Sequence, residues 1–169
     1  VYELPVSLAD AFFGSEKVVA LPNQEGGQDR VSVKIPKGID TGKKLRIGGK
    51  GEAGFHGGGN GDLLIKIKIM DDGLFTREGD NLKMDLPNKL SHALVGGSVT
   101  VPTLGGKNWS LKIPAGTQPG AKLRLKGHGM PRLKGSGHGD LYVSPRLVLP
   151  KKLTKAQKEL VKSLQEEGL

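Results

Sequence analysis

The stretch Val31-Ser-Val-Lys-Ile-Pro-Lys-Gly38 returns 78 residues later as Trp109-Ser-Leu-Lys-Ile-Pro-Ala-Gly116, and this recurrence decides how the 169-residue chain divides. Self-similarity comes first because an unrecognised duplication distorts every later assignment. The same offset carries Gly42-x-Lys44-Leu45-Arg46 onto Gly120-x-Lys122-Leu123-Arg124, Gly49-x-Gly51 onto Gly127-x-Gly129, and Gly61-Asp62-Leu63 onto Gly139-Asp140-Leu141. Upstream, Leu4-Pro5, Leu8, Ala11 and Gly14 answer Leu86-Pro87, Leu90, Ala93 and Gly96 at an offset of 82. The sequence predicts two homologous domains, residues 1–72 and 73–149, and a tail over 150–169. A period near 80 is too long for a solenoid repeat.

Each copy reads as mainly β. Leu63, Ile65, Ile67 and Ile69 alternate with Leu64, Lys66, Lys68 and Met70, and Val31, Val33 and Ile35 alternate in the same way; that period of two puts one apolar row on a buried face. Further rows are Leu82, Met84 and Leu86, then Trp109, Leu111 and Ile113, then Leu123 and Leu125. Short strands, 27 glycines and 36% hydrophobic residues predict two tandem β-sandwich or half-barrel domains built from antiparallel strands. Each domain carries a short helical turn: Ser7 caps the first, with Asp10 three residues on, and Gly14 stops it; Ser91 to Val95 is the counterpart. In the tail, Thr154-x-x-Gln157 has capping-box spacing, and Leu153, Ala156, Leu160, Val161 and Leu164 form an apolar stripe at helical spacing, ended by Gly168. That stripe either packs on its own domain or meets a second copy of the chain.

Twenty-six Lys and Arg against 17 Asp and Glu give a formal charge of +9, which attracts nucleic acid or acidic peptide without choosing between them. With one Trp, two Tyr and four Phe, base stacking has few platforms, although backbone contact to DNA stays open. Cysteine is absent, so disulfides, thiol nucleophiles and cysteine-ligated zinc are excluded. The cytoplasm is the expected location, since no run approaches the ~18 apolar residues of a membrane span and Val1 to Asp10 lacks the order of a signal peptide. Gly49-x-Gly51-x-x-Gly54 matches a dinucleotide fingerprint, but no apolar-periodic helix follows it, and Arg132 replaces the third glycine in the second copy. His56, His92, His128 and His138 lack metal-ligand spacing, while Asp62 and Asp140 sit at strand starts where turn bonding explains them. No catalytic constellation, cofactor or metal is expected, and the chain does not read as an enzyme.

Apolar surface remains. Tyr2 and Leu4 share a face of the first strand, Val19 and Leu21 a face of the next, and Ile65 belongs to a third strand with the same alternation. If these strands are neighbours and their face is partly uncovered, they form a shallow groove beside a sheet edge, suited to an extended peptide. The other reading makes all five ordinary core.

Several of these residues together resemble the carboxy-terminal region of DnaJ-type co-chaperones: Leu4-Pro-Val-Ser-Leu-Ala-Asp-Ala11, the paired Ile-Pro-x-Gly, the two Gly-Asp-Leu stations, Phe75-x-Arg77-x-Gly-Asp80-x-Leu82, Ala93-Leu-Val-Gly-Gly97 and Pro150-Lys-Lys-Leu-Thr154. The resemblance covers almost the whole chain. It implies binding of unfolded polypeptides, delivery to a DnaK-type chaperone, and homodimerisation through the carboxy-terminal helix. It also implies a peptide site on Tyr2, Leu4, Val19, Leu21 and Ile65, with Lys17 at its rim facing the partner chaperone's acidic tail. Nine residues and no cysteine between Leu21 and Val31 make the chain similar to the zinc-free subtype related to the curved-DNA-binding homologue, which keeps DNA as the alternative ligand. No His-Pro-Asp occurs, so this stretch does not contain the helical J-domain, and the chain is expected to be a fragment or one portion of a longer protein. Met70-Asp-Asp-Gly-Leu-Phe75 departs from the family's histidine-proline connection between domains.

Overall fold

The structure, a computed structural model, describes residues 1–22, 26–48 and 61–169, without the side chain of Pro22. The fingerprint-like Gly49 to Gly54 and His56 lie outside the described residues.

The chain runs β1 (Tyr2–Val6), α1 (Leu8–Phe13), β2 (Ser15–Pro22), β3 (Gln28–Ile35), β4 (Lys44–Ile47), β5 (Leu63–Ile69), β6 (Thr76–Glu78), β7 (Asn81–Lys89), α2 (Leu90–Val95), β8 (Gly97–Pro102), β9 (Asn108–Ile113), β10 (Leu123–Leu125), β11 (Leu141–Val148) and α3 (Lys155–Glu166). The order β-α-β-β-β-β occurs twice, and the sheets repeat with it. One sheet is β1-β5-β4, a second is β10-β11-β7-β6, and β2-β3 and β8-β9 form two-stranded ribbons. The fold is mainly β, with no closed barrel among the described residues.

Strand direction departs from the antiparallel expectation. β1 pairs with β5 in parallel, with Tyr2 opposite Ile65 and Leu4 opposite Ile67, and β7 pairs with β11 in parallel in the same way. The remaining ladders are antiparallel. The first and last strands of each copy meet, and the long intervening chain supplies the crossover that parallel pairing needs. Alternation fixes which face a side chain occupies but carries no strand direction.

The inward rows of both copies join one apolar cluster that includes Val6, Ile35, Ile65 and Ile67 from the first copy and Leu82, Ile113, Leu141 and Val143 from the second. The short helices close as the sequence predicts at the first copy, where Ser7 Oγ accepts from the Asp10 amide at 3.0 Å. In the second, Lys89 occupies the cap position with no side-chain bond, because a lysine has no acceptor to offer the orphan amides. The tail helix has its full capping box: Gln157 N donates to Thr154 Oγ1 at 3.1 Å, and Thr154 N to Gln157 Oε1 at 2.9 Å. None of its residues is buried, so the option of packing on its own domain is not realised.

Candidate functional site

Burial separates the six residues of the implied peptide site. Leu4, Val19, Leu21 and Ile65 are buried members of the core cluster, Ile65 completely. Tyr2 stands at the open end of the β1 row, 36% exposed. Lys17 is half-buried on β2, where its Nζ lies 2.8 Å from Asp10 Oδ2. The ammonium beside it, together with the Ser7 cap, holds the Asp10 carboxyl below the usual carboxylate range. Lys17 is thereby tied to the first turn of α1.

The sheet brings Tyr2 and Ile65 together as register partners, and Ile65 is flanked on its other side by Leu45. Val19 and Leu21 belong to the separate β2-β3 ribbon, opposite Val31 and Asp29. Three residues not picked from the sequence, Leu45, Ile47 and Leu63, are only partly buried against the core. With Tyr2 they form a partly uncovered apolar strip, because Leu63 lies opposite Ile47 and Leu45 opposite Ile65 in the register. Among the described residues, β1 has a partner only in β5 and β2 only in β3. Each therefore presents one row of backbone donors and acceptors to an incoming strand.

The Gly-Asp-Leu stations are structural in both copies. Arg46 pairs with Asp62, and 78 residues on, Arg124 lies 3.9 Å from Asp140, whose Oδ1 also accepts from Gly127 N at 2.9 Å. Each pair ties the last strand of its copy to the strand beside it. Two of the histidines pack on aromatic rings: His128 against Trp109 at 4.4 Å and His138 against Phe12 at 5.7 Å between centroids. Among the described residues no three His, Asp or Glu side chains cluster as metal ligands.

The two copies meet at Gly38 and Arg77. Arg77, 9% exposed at its side chain, donates through Nη2 to Gly38 O at 2.9 Å, through Nη1 to Ile39 O, and through Nε to Gly79 O at 2.8 Å. On the other side of Gly38 lies the backbone of Pro131 to Leu133, so close that a Cβ there would fall 2.4 Å from Pro131 O. A guanidinium offers five donors in a fixed fork, which suits three backbone carbonyls gathered at a buried junction.

Of the predicted stripe, Ala156, Leu160, Val161 and Leu164 lie on α3 and Leu153 just before its Thr154 cap, and all five are exposed. Among the described residues no helix is long and apolar enough to cross a membrane.

Residues 1–150 match the family model described as DnaJ C terminal domain. Chaperone protein DnaJ of Exiguobacterium sibiricum is 48% identical over 136 residues, covering 80% of this chain and 37% of that protein. Chaperone protein DnaJ of Bacillus mycoides and that of Bacillus cereus are each 47% identical over 140 residues, covering 82% of this chain and 38% of theirs. The chain thus spans a little over a third of the length of these curated relatives. Its repeated β-α-β-β-β-β order, the doubled Ile-Pro-x-Gly and Gly-Asp-Leu stations and the match over 1–150 together place the chain in the DnaJ C terminal domain family.

Proposed function

We propose that this chain is the substrate-binding and dimerisation portion of a DnaJ-type co-chaperone, with no enzymatic activity of its own, acting in the cytoplasm. It holds unfolded polypeptides and passes them to a DnaK-type chaperone. Residues 1–72 carry the peptide site, 73–149 repeat that unit, and 150–169 dimerise. The observation that carries this reading is the partly uncovered strip of Tyr2, Leu45, Ile47 and Leu63 beside strands with an unpaired edge. An extended client adds main-chain bonds at the edge whatever its sequence, and its alternate apolar side chains meet the strip. Leu4, Val19, Leu21 and Ile65 act as the packed floor under this site, and Lys17 faces the acidic tail of the partner chaperone at its rim. The absence of cysteine and the nine-residue Leu21 to Val31 connection support the zinc-free subtype.

Burial dictates which variant tests the site. An aspartate at Val19 or Leu21 would place a charge in the core and unfold the domain, whatever its role in binding. Tyr2→Ala removes an exposed ring instead. It should weaken binding of a fluorescent, apolar, extended peptide by roughly 5–30-fold, from the ~1–2 kcal/mol of area a half-exposed aromatic can bury, with the melting temperature unchanged. Undiminished peptide affinity and aggregation suppression in this variant would sink the site.

The exposed stripe supports dimerisation. A 12-residue helix is marginal in water by itself, and a second copy supplies the missing apolar contact. Leu160→Asp should raise the dimer dissociation constant at least about tenfold, as read by sedimentation. A dimer of unchanged stability would remove α3 from the interface.

A further inference from the structure

The junction between the two copies also builds a surface that neither has alone. Phe13, at the end of α1, is 54% exposed, and its ring meets that of Phe12 edge-on at 4.9 Å. Phe12 reaches into the second copy, contacting His138 and lying against Gly105. Lys37 follows the helix end closely, since a Cβ built at Gly14 would sit 3.2 Å from Lys37 Cγ. The next residue, Gly38, packs on Pro131 to Leu133, the base of a small hairpin closed by the Pro131–His138 bridge and by Arg132 N donating to Gly137 O at 3.1 Å. Its exposed arm carries Arg132, Leu133 and Lys134.

The segments that converge on Gly38 thus carry two exposed apolar side chains, Phe13 and Leu133, and three cations. Lys37, Arg132 and Lys134 have no carboxylate partner among the described residues. The acids nearest in sequence to Phe13 are engaged elsewhere, Asp10 on Lys17 and Glu16 on the Ser32 hydroxyl at 2.6 Å.

We infer that this face, formed by Phe13, Lys37 and the Arg132–Lys134 arm, docks an acidic peptide segment bearing a large apolar side chain. Charge complementarity selects an acidic ligand, and the half-exposed ring supplies the kind of anchor on which a peptide interface concentrates its energy. A single-stranded nucleic acid is the less suitable occupant: it needs a series of open ring faces, whereas Phe12 is already flanked by Phe13 and His138. The site lies apart from the Tyr2 strip and does not depend on the client-binding proposal.

Fluorescence anisotropy on the intact chain tests it, with a short labelled peptide of Asp, Glu and Gly around one Phe as the probe. Phe13→Ser, and separately Arg132→Glu with Lys134→Glu, should each weaken binding about tenfold or more, while Tyr2→Ala and the charge-matched pair Lys151→Glu with Lys152→Glu leave it unchanged. All altered side chains are exposed, and thermal melting verifies folding. The inference is overturned if the site variants bind as the parent does, or if the remote charge pair loses as much. It is equally overturned if Tyr2→Ala abolishes binding, or if a Phe-free acidic peptide or oligothymidine binds as tightly as the probe.

Discussion

Gly38→Ala should lower the melting temperature by roughly 5–20 °C, whereas Gly116→Ala, at the same station of the repeated Ile-Pro-x-Gly motif, should lower it by roughly 2–8 °C. Both glycines adopt a left-handed backbone, with φ of +83° and +75°, so both variants incur about 1–2 kcal/mol of steric cost. Only the environment differs. A Cβ at Gly38 meets backbone atoms of residues 131–133, at 2.4 Å from Pro131 O and 2.7 Å from Leu133 N, while one at Gly116 meets nothing within 4 Å. Backbone cannot swing aside like a side-chain tip, so the junction must open or shift, adding about 1–3 kcal/mol. Calorimetry of the two variants checks this; equal losses would mean that the copies do not press together at Gly38.

Removing the fork on the other side should have a comparable effect. Arg77→Met keeps the apolar stem but leaves the carbonyls of Gly38, Ile39 and Gly79 without their donors. Bonds from a charged donor contribute about 1.5–3 kcal/mol each, and stranded carbonyls add a desolvation cost. Water reaching the opened site recovers part of it, leaving a net loss of about 2–4 kcal/mol in urea unfolding. Arg77→Lys should restore only a fraction, because an ammonium cannot present the planar fork. Gly38→Ala combined with Arg77→Met should lose less than the sum of the two, since both act on one contact. Strict additivity would place the two residues in independent structures.

The repeat, the strand rows and the helix ends were legible because each depends on local chemistry. The 78-residue offset, the alternation at Ile65 and Ile67, the Ser7 cap and the Thr154–Gln157 box need only neighbours in sequence. What alternation cannot reveal is whether an inward face is covered. Leu4, Val19, Leu21 and Ile65 have the same period as Tyr2, yet tertiary packing buries the four and leaves the fifth half-open. Leu45, Ile47 and Leu63 escaped notice for the converse reason: their spacing reads as core, and only the sheet register shows them at a thinly covered end. Gly38 and Gly116 are indistinguishable as motif letters, since nothing nearby in sequence states which copy docks on the other. Arg77 was visible as part of a family signature, but two of its three carbonyl partners lie 38 and 39 residues away, beyond any local pattern.

Pairing the first strand of each copy with its last has a consequence for how the protein emerges from the ribosome. Val6 ends β1, and its partner strand is complete only at Ile69, so at roughly 5–20 residues per second the nascent strand waits several seconds for its neighbour. Arg77 and then Pro131 to Leu133 are translated later still, so the clasp around Gly38 cannot close until well after β5 has, and the pairing of β7 with β11 waits until Val148. A protein of this family thus passes through a stage of its own birth in which it is itself an unfolded chain with an unpaired strand.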